Sequence, residues 1–180
     1  MSKLKIVTFG NPILRQPAKP VTVFHKKFHS LVDSIAETLS KCNNGAALAA
    51  NQIGVLKKIS VVNYQGEYIE LINPQIIYSE GEQTDNEGCL SFSGYTGLVK
   101  RFNFVRVKYL DRTGKENVIE RSGKLARCIQ HEIDHLNGIL FIDRMIEDFL
   151  VHTETEKKIS LQSTLDLANG KKDDQKNLTK

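Results

Sequence analysis

The chain has 180 residues, 40% apolar and 26% charged, with a formal net charge of +4, which is ordinary for one soluble globular domain with a real core. The charge is mild and forms neither a basic stripe nor an aromatic platform, so a dedicated nucleic-acid binder is excluded and no specific DNA binding is expected. No window approaches ~18 consecutive apolar residues, and "MSKLKIVTFGNPILRQPAKP" lacks the apolar core and cleavage site of a signal peptide; no membrane association is expected.

Pro12, Pro17 and Pro20 predict extended or irregular chain wrapping the domain. From His25 to Cys42, Phe28, Leu31, Val32, Ile35 and Leu39 recur at three- and four-residue spacing, an amphipathic helix with Asn44-Gly45 as its stop. "KKISVVNY" and "EYIELINP" read as strands around a Gln65-Gly66 turn. "DNEGCLSFSG" is a polar, glycine-containing turn region. In "NFVRVKYLDRTGKENVIERS" apolar and charged residues alternate about an Asp111–Gly114 turn, predicting a hairpin. Ser122 is a plausible N-cap for a helix through "GKLARCIQHEIDHL", ended by Asn137-Gly138. The mostly polar segment from Glu147 to Ala168 is read as helical, and "NGKKDDQKNLTK" as too polar to pack and disordered. The organisation is α+β: a single domain over residues 1–168, then a polar tail at 169–180.

Within "QHEIDHLNG", His131 and His135 lie four apart on the predicted helix and can aim at one ion. Glu132 is rotated by roughly 100° from His131, close enough to take a proton from an activated water without ligating. A catalytic centre needs a third ligand and an open position. The extended protease pattern would supply a histidine where this chain has Phe141, which cannot ligate. Glu154 and Glu156 sit in "HTETEKK", which reads as a solvated face. Three widely spaced cysteines, Cys42, Cys89 and Cys128, make no disulfide framework, and a reducing cytoplasm would leave a thiolate available. Cys128 shares the helical stripe with His131 but has the surroundings of a core or pocket-wall residue. Cys89, on a turn, can be aimed at the helix from another element.

A third stretch, "GAALAANQIG", has small residues that let backbone approach a neighbour, with Gln52 offering an amide donor. Taken alone, a tight helix–strand junction explains it.

Together and in this order, "GAALAANQIG", "EGCLSFSG" and "QHEIDHLNG" closely resemble the three motifs of the peptide deformylases. The resemblance extends from about Ile6 to Met145. It implies antiparallel sheets packed around a central metal-binding helix, and removal of the formyl group from N-formylmethionine on nascent polypeptides. By position, it implies that Cys89, His131 and His135 hold one divalent ion, Fe²⁺ in most members, with Zn²⁺, Ni²⁺ or Co²⁺ as substitutes. Glu132 would be general base and acid, and Gln52 with the Leu90 backbone N–H would stabilise the oxyanion. Gly45, Ala46, Ala47, Leu125, Cys128 and the aliphatic part of Arg127 would lie at or near the substrate. The chain departs from the family pattern at Ala47, where a second glycine is usual. It departs again at Ser93, usually proline, and at Thr96, near which some members carry arginine. If position 47 required a left-handed backbone, its methyl would cost about 1 kcal/mol. Lys171, Lys172, Lys176 and Lys180 offer a transient ribosome contact, although a solubilising tail accounts for them more simply.

Overall fold

The computed structural model describes residues 4–43 and 45–168; the tail for which disorder is expected, and Asn44 of the expected helix stop, lie outside them. Helix α1 is Lys26–Ser40, followed by strands β1 (Ala47–Ala49), β2 (Ile59–Tyr64), β3 (Glu67–Glu80), β4 (Gln83–Cys89), β5 (Phe92–Arg101), β6 (Phe104–Leu110) and β7 (Glu116–Ser122). Helix α2 is Gly123–Leu136, and the described chain finishes with β8 (Phe149–His152), β9 (Lys158–Ser160) and α3 (Leu161–Ala168). All named pairings are antiparallel, in one sheet of order β1-β2-β3-β6-β7 and another of order β4-β5-β8-β9. Among the described residues no helix is long and apolar enough to cross a membrane.

Helix α1 forms where the spacing of Phe28, Val32, Ile35 and Leu39 predicts it, and these four are buried. His25 caps it, Nδ1 accepting the Phe28 N–H at 3.2 Å. The β2–β3 turn uses Gln65 and Gly66, both at positive φ (52° and 84°), the combination that matches strand twist in a two-residue hairpin. Adjacent residues Val61 and Val62 point to opposite faces. Val61 joins α1 through Val32, Ile35 and Leu39, whereas Val62 joins Ala126, Ile129 and Ile133 of α2. The larger sheet is therefore covered by a helix on each face, and this fixes where α2 lies.

The structure differs from expectation in three stretches. Strand β3 continues past Pro74 to Glu80, because the register shifts between Ile72 and Gln75 and the proline falls in that irregularity. Asn73, at φ 51°, then clips the N-terminal chain, its amide pairing with both the N–H and the C=O of Val21 at 2.8 Å. "DNEGCLSFSG" is a strand pair, with only Leu90 and Ser91 between β4 and β5. Its polarity follows from β4 being an edge strand with three of its seven residues exposed. The segment from Glu147 is helical only from Leu161; β8 pairs with β5 through Tyr95–His152 and Thr96–Val151, and this pairing overrides its weak local preference.

Irregular chain at the N-terminus links the three motif-bearing segments, as the prolines predict. Val7 donates to Gln52 O (2.7 Å), Phe9 to Ser91 O (2.7 Å) and Ala18 to Leu136 O (2.9 Å). Gly138, at φ +75°, ends α2 where a Cβ would stand 2.5 Å from Arg15 O, so the position admits only glycine.

Candidate metal centre

One turn of α2 separates His131 from His135, whose ring centroids are 4.8 Å apart. A register irregularity between Gly88 and Cys89 at the end of β4 turns the thiol toward them. The ligand atoms of Cys89, His131 and His135 all lie within 4.8 Å of one another, and Cys89 Sγ is 3.2 Å from His135 Nε2. A tetrahedral ion with bonds of about 2.0–2.3 Å holds its ligands about 3.3–3.8 Å apart, so the three residues fit one. Cys128 is not in the group; burial, with the charges of Glu132 and Glu87, pushes its thiol up to about 11. Glu154 and Glu156 are exposed between β8 and β9, outside the group. Phe141 is buried and lies nearly parallel to the His131 ring, 6.3 Å away.

Glu87 is the residue the sequence reading passed over. Its Oε2 accepts from His131 Nδ1 at 3.0 Å. An ionised carboxylate can only accept, so Nδ1 carries the proton and the Nε2 lone pair is left for an ion. Burial alone would raise the Glu87 pKa. Hydrogen bonds from His131 and Arg101, with the Arg101 charge, instead hold it well below the carboxylate range. Arg101 binds it through Nε (2.8 Å) and Nη2 (3.0 Å), and also reaches Asp134, which Arg144 engages from outside. The stretch reads as a turn in the sequence, and no local signal marks Glu87, because its partners come from α2 and β5. Among the described residues His135 has no such partner; its Nδ1 is buried without a hydrogen bond there, while Asn51 Nδ2 donates to its carbonyl at 2.6 Å.

Glu132 is 2% exposed and its Oε2 has no hydrogen-bond partner among the described residues. Burial pushes its carboxyl up to about 7, an appropriate value for a group that takes and returns a proton near neutrality. Gln52 is equally buried. Its Oε1 accepts the Ala49 N–H at 2.8 Å, which turns Nε2 toward Ser91 Oγ (3.2 Å) and Cys89 Sγ (3.4 Å).

These groups face a cavity of about 440 Å³, within the range that encloses a small ligand. Its walls include Gly45, Ala46, Ala47 and Gln52 from the first motif, and Cys89 and Leu90 from the second. Helix α2 adds Arg127, Cys128, His131 and Glu132. Leu125 is not in the wall. It packs with Val62, Val105 and Ile129, because the helical rotation of about 100° turns it to the sheet and turns Lys124 to the cavity. Arg127 lies in the wall with its guanidinium buried among β4 and β5, which leaves the aliphatic stem to face the cavity. Ala47 pairs with Val62 in β1 and is not among the positive-φ residues, so its methyl carries no left-handed strain.

A Cys-His-His group with a buried carboxylate beside it, opening on a cleft between antiparallel sheets, is the arrangement of a metallohydrolase. The polypeptide deformylase family model matches residues 3–149. A peptide deformylase of Thermoanaerobacter pseudethanolicus is 51% identical over 148 residues, covering 82% of this chain and 92% of that protein. The crystal structure of a peptide deformylase from Legionella pneumophila is 42% identical with a TM-score of 0.77, over 80% of this chain and 86% of that one. A Met-Ala-Ser-bound class I type b peptide deformylase from Acinetobacter baumannii is 32% identical with a TM-score of 0.75, over 80% of this chain and 99% of that one. The chain belongs to the polypeptide deformylase family and is a hydrolase.

Proposed function

We propose that the protein removes the formyl group from N-formylmethionine at the start of nascent polypeptides, in the cytoplasm, through one catalytic domain over residues 1–168. The observation that carries this reading is the convergence of Cys89, His131 and His135 within 4.8 Å, with the buried carboxylate of Glu132 on the same helix as the histidines and its Oε2 without a hydrogen-bond partner among the described residues. A divalent ion on these ligands, Fe²⁺ by family resemblance with Zn²⁺, Ni²⁺ or Co²⁺ as substitutes, would lower the pKa of a water and polarise the formyl oxygen.

Glu132 accepts the water's proton and returns it to the departing amine; its low solvation and its pKa near 7 suit both directions. Gln52 Nε2 and the Leu90 N–H donate to the oxygen that gains charge, and the Ala49–Gln52 bond holds the amide in place beforehand. The substrate lies extended between β1 and β4. Each is the edge strand of its own sheet and both line the cavity, so backbone pairing is available on either side. The methionine side chain sits against Ala46 and Cys128, with the stem of Lys124 at the rim. The Acinetobacter enzyme crystallised with Met-Ala-Ser supports a peptide in this cleft.

The test is anaerobic purification with metal analysis, then formate release from formyl-Met-Ala-Ser. Stoichiometric metal and formate release that vanishes in Glu132→Gln are expected. A metal-loaded wild-type protein that releases no formate would overturn the reading.

A further inference from the structure

Arg127, His131 and His135 are spaced i, i+4, i+8 on α2 and so share one stripe of the helix. The Arg127 side chain is only 7% exposed, and its guanidinium is directed into the β4–β5 hairpin. Nη1 donates to Glu87 Oε1 at 2.7 Å, to Val99 O at 3.1 Å and to Asp85 O at 3.4 Å; Nη2 donates to Gln83 O at 3.2 Å. Asp85 and Val99 face each other across the β4–β5 ladder, so one nitrogen grips both strands of the hairpin that delivers Cys89.

The Glu87 carboxylate has each oxygen doubly engaged. Oε1 takes Arg101 Nε and Arg127 Nη1, while Oε2 takes Arg101 Nη2 and His131 Nδ1. Arg101 forks onto both oxygens but is shared with Asp134. Arg127, which binds Oε1, is a second anchor for the carboxylate whose other oxygen meets His131. We propose that the Arg127 guanidinium is a positioning group of the metal centre, holding His131 through Glu87 and Cys89 through the β4–β5 carbonyls, while only the stem of the side chain borders the cavity. This rests on the deformylase reading only in where it places the ion.

The test separates metal retention from substrate binding. Purified wild type, Arg127→Met and Arg127→Lys are loaded with Co²⁺; chelator competition gives the dissociation constant, and formyl-Met-Ala-Ser gives KM for the fully loaded enzymes. Loss of an outer-shell partner weakens metal binding by about 10–100-fold, and Arg127→Met is expected at the lower end of that range. Arg127→Lys, which keeps the charge but not the fork, should fall between it and wild type, and KM should stay within about twofold in both. Thermal unfolding of the same samples identifies any variant that does not fold; if Arg127→Met fails, Arg127→Lys decides. Unchanged Co²⁺ affinity with a raised KM in a folded variant would overturn the proposal and make Arg127 a substrate contact alone. Absence of formate release from Co²⁺-loaded wild type would count against the deformylase reading alone, since the affinity comparison needs no turnover.

Discussion

Cys89 and Cys128 compete for one role when only spacing is known, and three dimensions separate them. Cys89 stands 3.2 Å from His135 Nε2, whereas burial holds the Cys128 thiol protonated on the cavity wall. Cys89→Ser should therefore lose bound metal and formate release together, while Cys128→Ser should keep wild-type metal content by elemental analysis; the reverse pattern would remove Cys89 from the centre. Ala47 poses a second question at this scale. Its backbone is ordinary strand, so Ala47→Gly relieves no strain and should leave kcat/KM within about twofold. The added glycine should cost about 0.5–1 kcal/mol in denaturant unfolding. A tenfold gain in kcat/KM would mean that the methyl obstructs substrate. The pairing of His131 with His135 was legible from their spacing on one helix, whereas Cys89 and Gln52 were singled out only by the resemblance of their motifs to those of the deformylases. Leu125 was misplaced by one position and Glu87 passed over, because facing direction and partners such as Arg101 and Arg127 depend on contacts between distant segments.

Among elements, those with a local cause were the ones the sequence predicted well. The hairpin of β6 and β7 follows from alternation and from Asp111, whose Oδ1 accepts from Thr113 N (2.9 Å), Thr113 Oγ1 (2.6 Å) and Lys115 N (3.1 Å). The hydrogen bond from the Thr113 hydroxyl, with those of the Thr113 and Lys115 N–H groups and the Asn117 amide, draws the Asp111 carboxyl down to about 2. A folded-state pKa below the unfolded value stabilises above the unfolded value of about 3.9, and the contribution is lost as pH falls through about 2. Asp111→Ala should thus lower Tm more at pH 7 than at pH 2; an equal loss at both would exclude the charged turn as the cause. Strands β4 and β8 had no such local signature. One is a polar edge, and the other owes its form to pairing with β5, so their state is decided by tertiary partners.

The whole molecule adds a mechanical consequence. Cys89 belongs to the smaller sheet, whereas His131 and His135 ride on α2, which packs on the larger one through Val62, Val105 and Val107. An ion on these ligands joins the two sheets at the cleft, alongside the ion pairs from Arg127 to Glu87 and from Arg101 to Asp134 that already cross between them. Unfolding separates the ligands, so the ion binds the folded state alone and stabilises it by RT ln(1 + [L]/Kd), about 2.7 kcal/mol at a hundredfold excess over Kd. At about 2–4 °C per kcal/mol for a chain of this size, metal loading should raise Tm by roughly 5–11 °C over chelator-treated protein. Cys89→Ala should show almost none of that rise, because two histidines without the thiolate hold the ion far more weakly and [L]/Kd falls. Thermal unfolding of the four samples, wild type and variant with and without Co²⁺, measures this directly. Equal shifts in both proteins would show that the ion is held within α2, and that the two sheets meet at the cleft without its help.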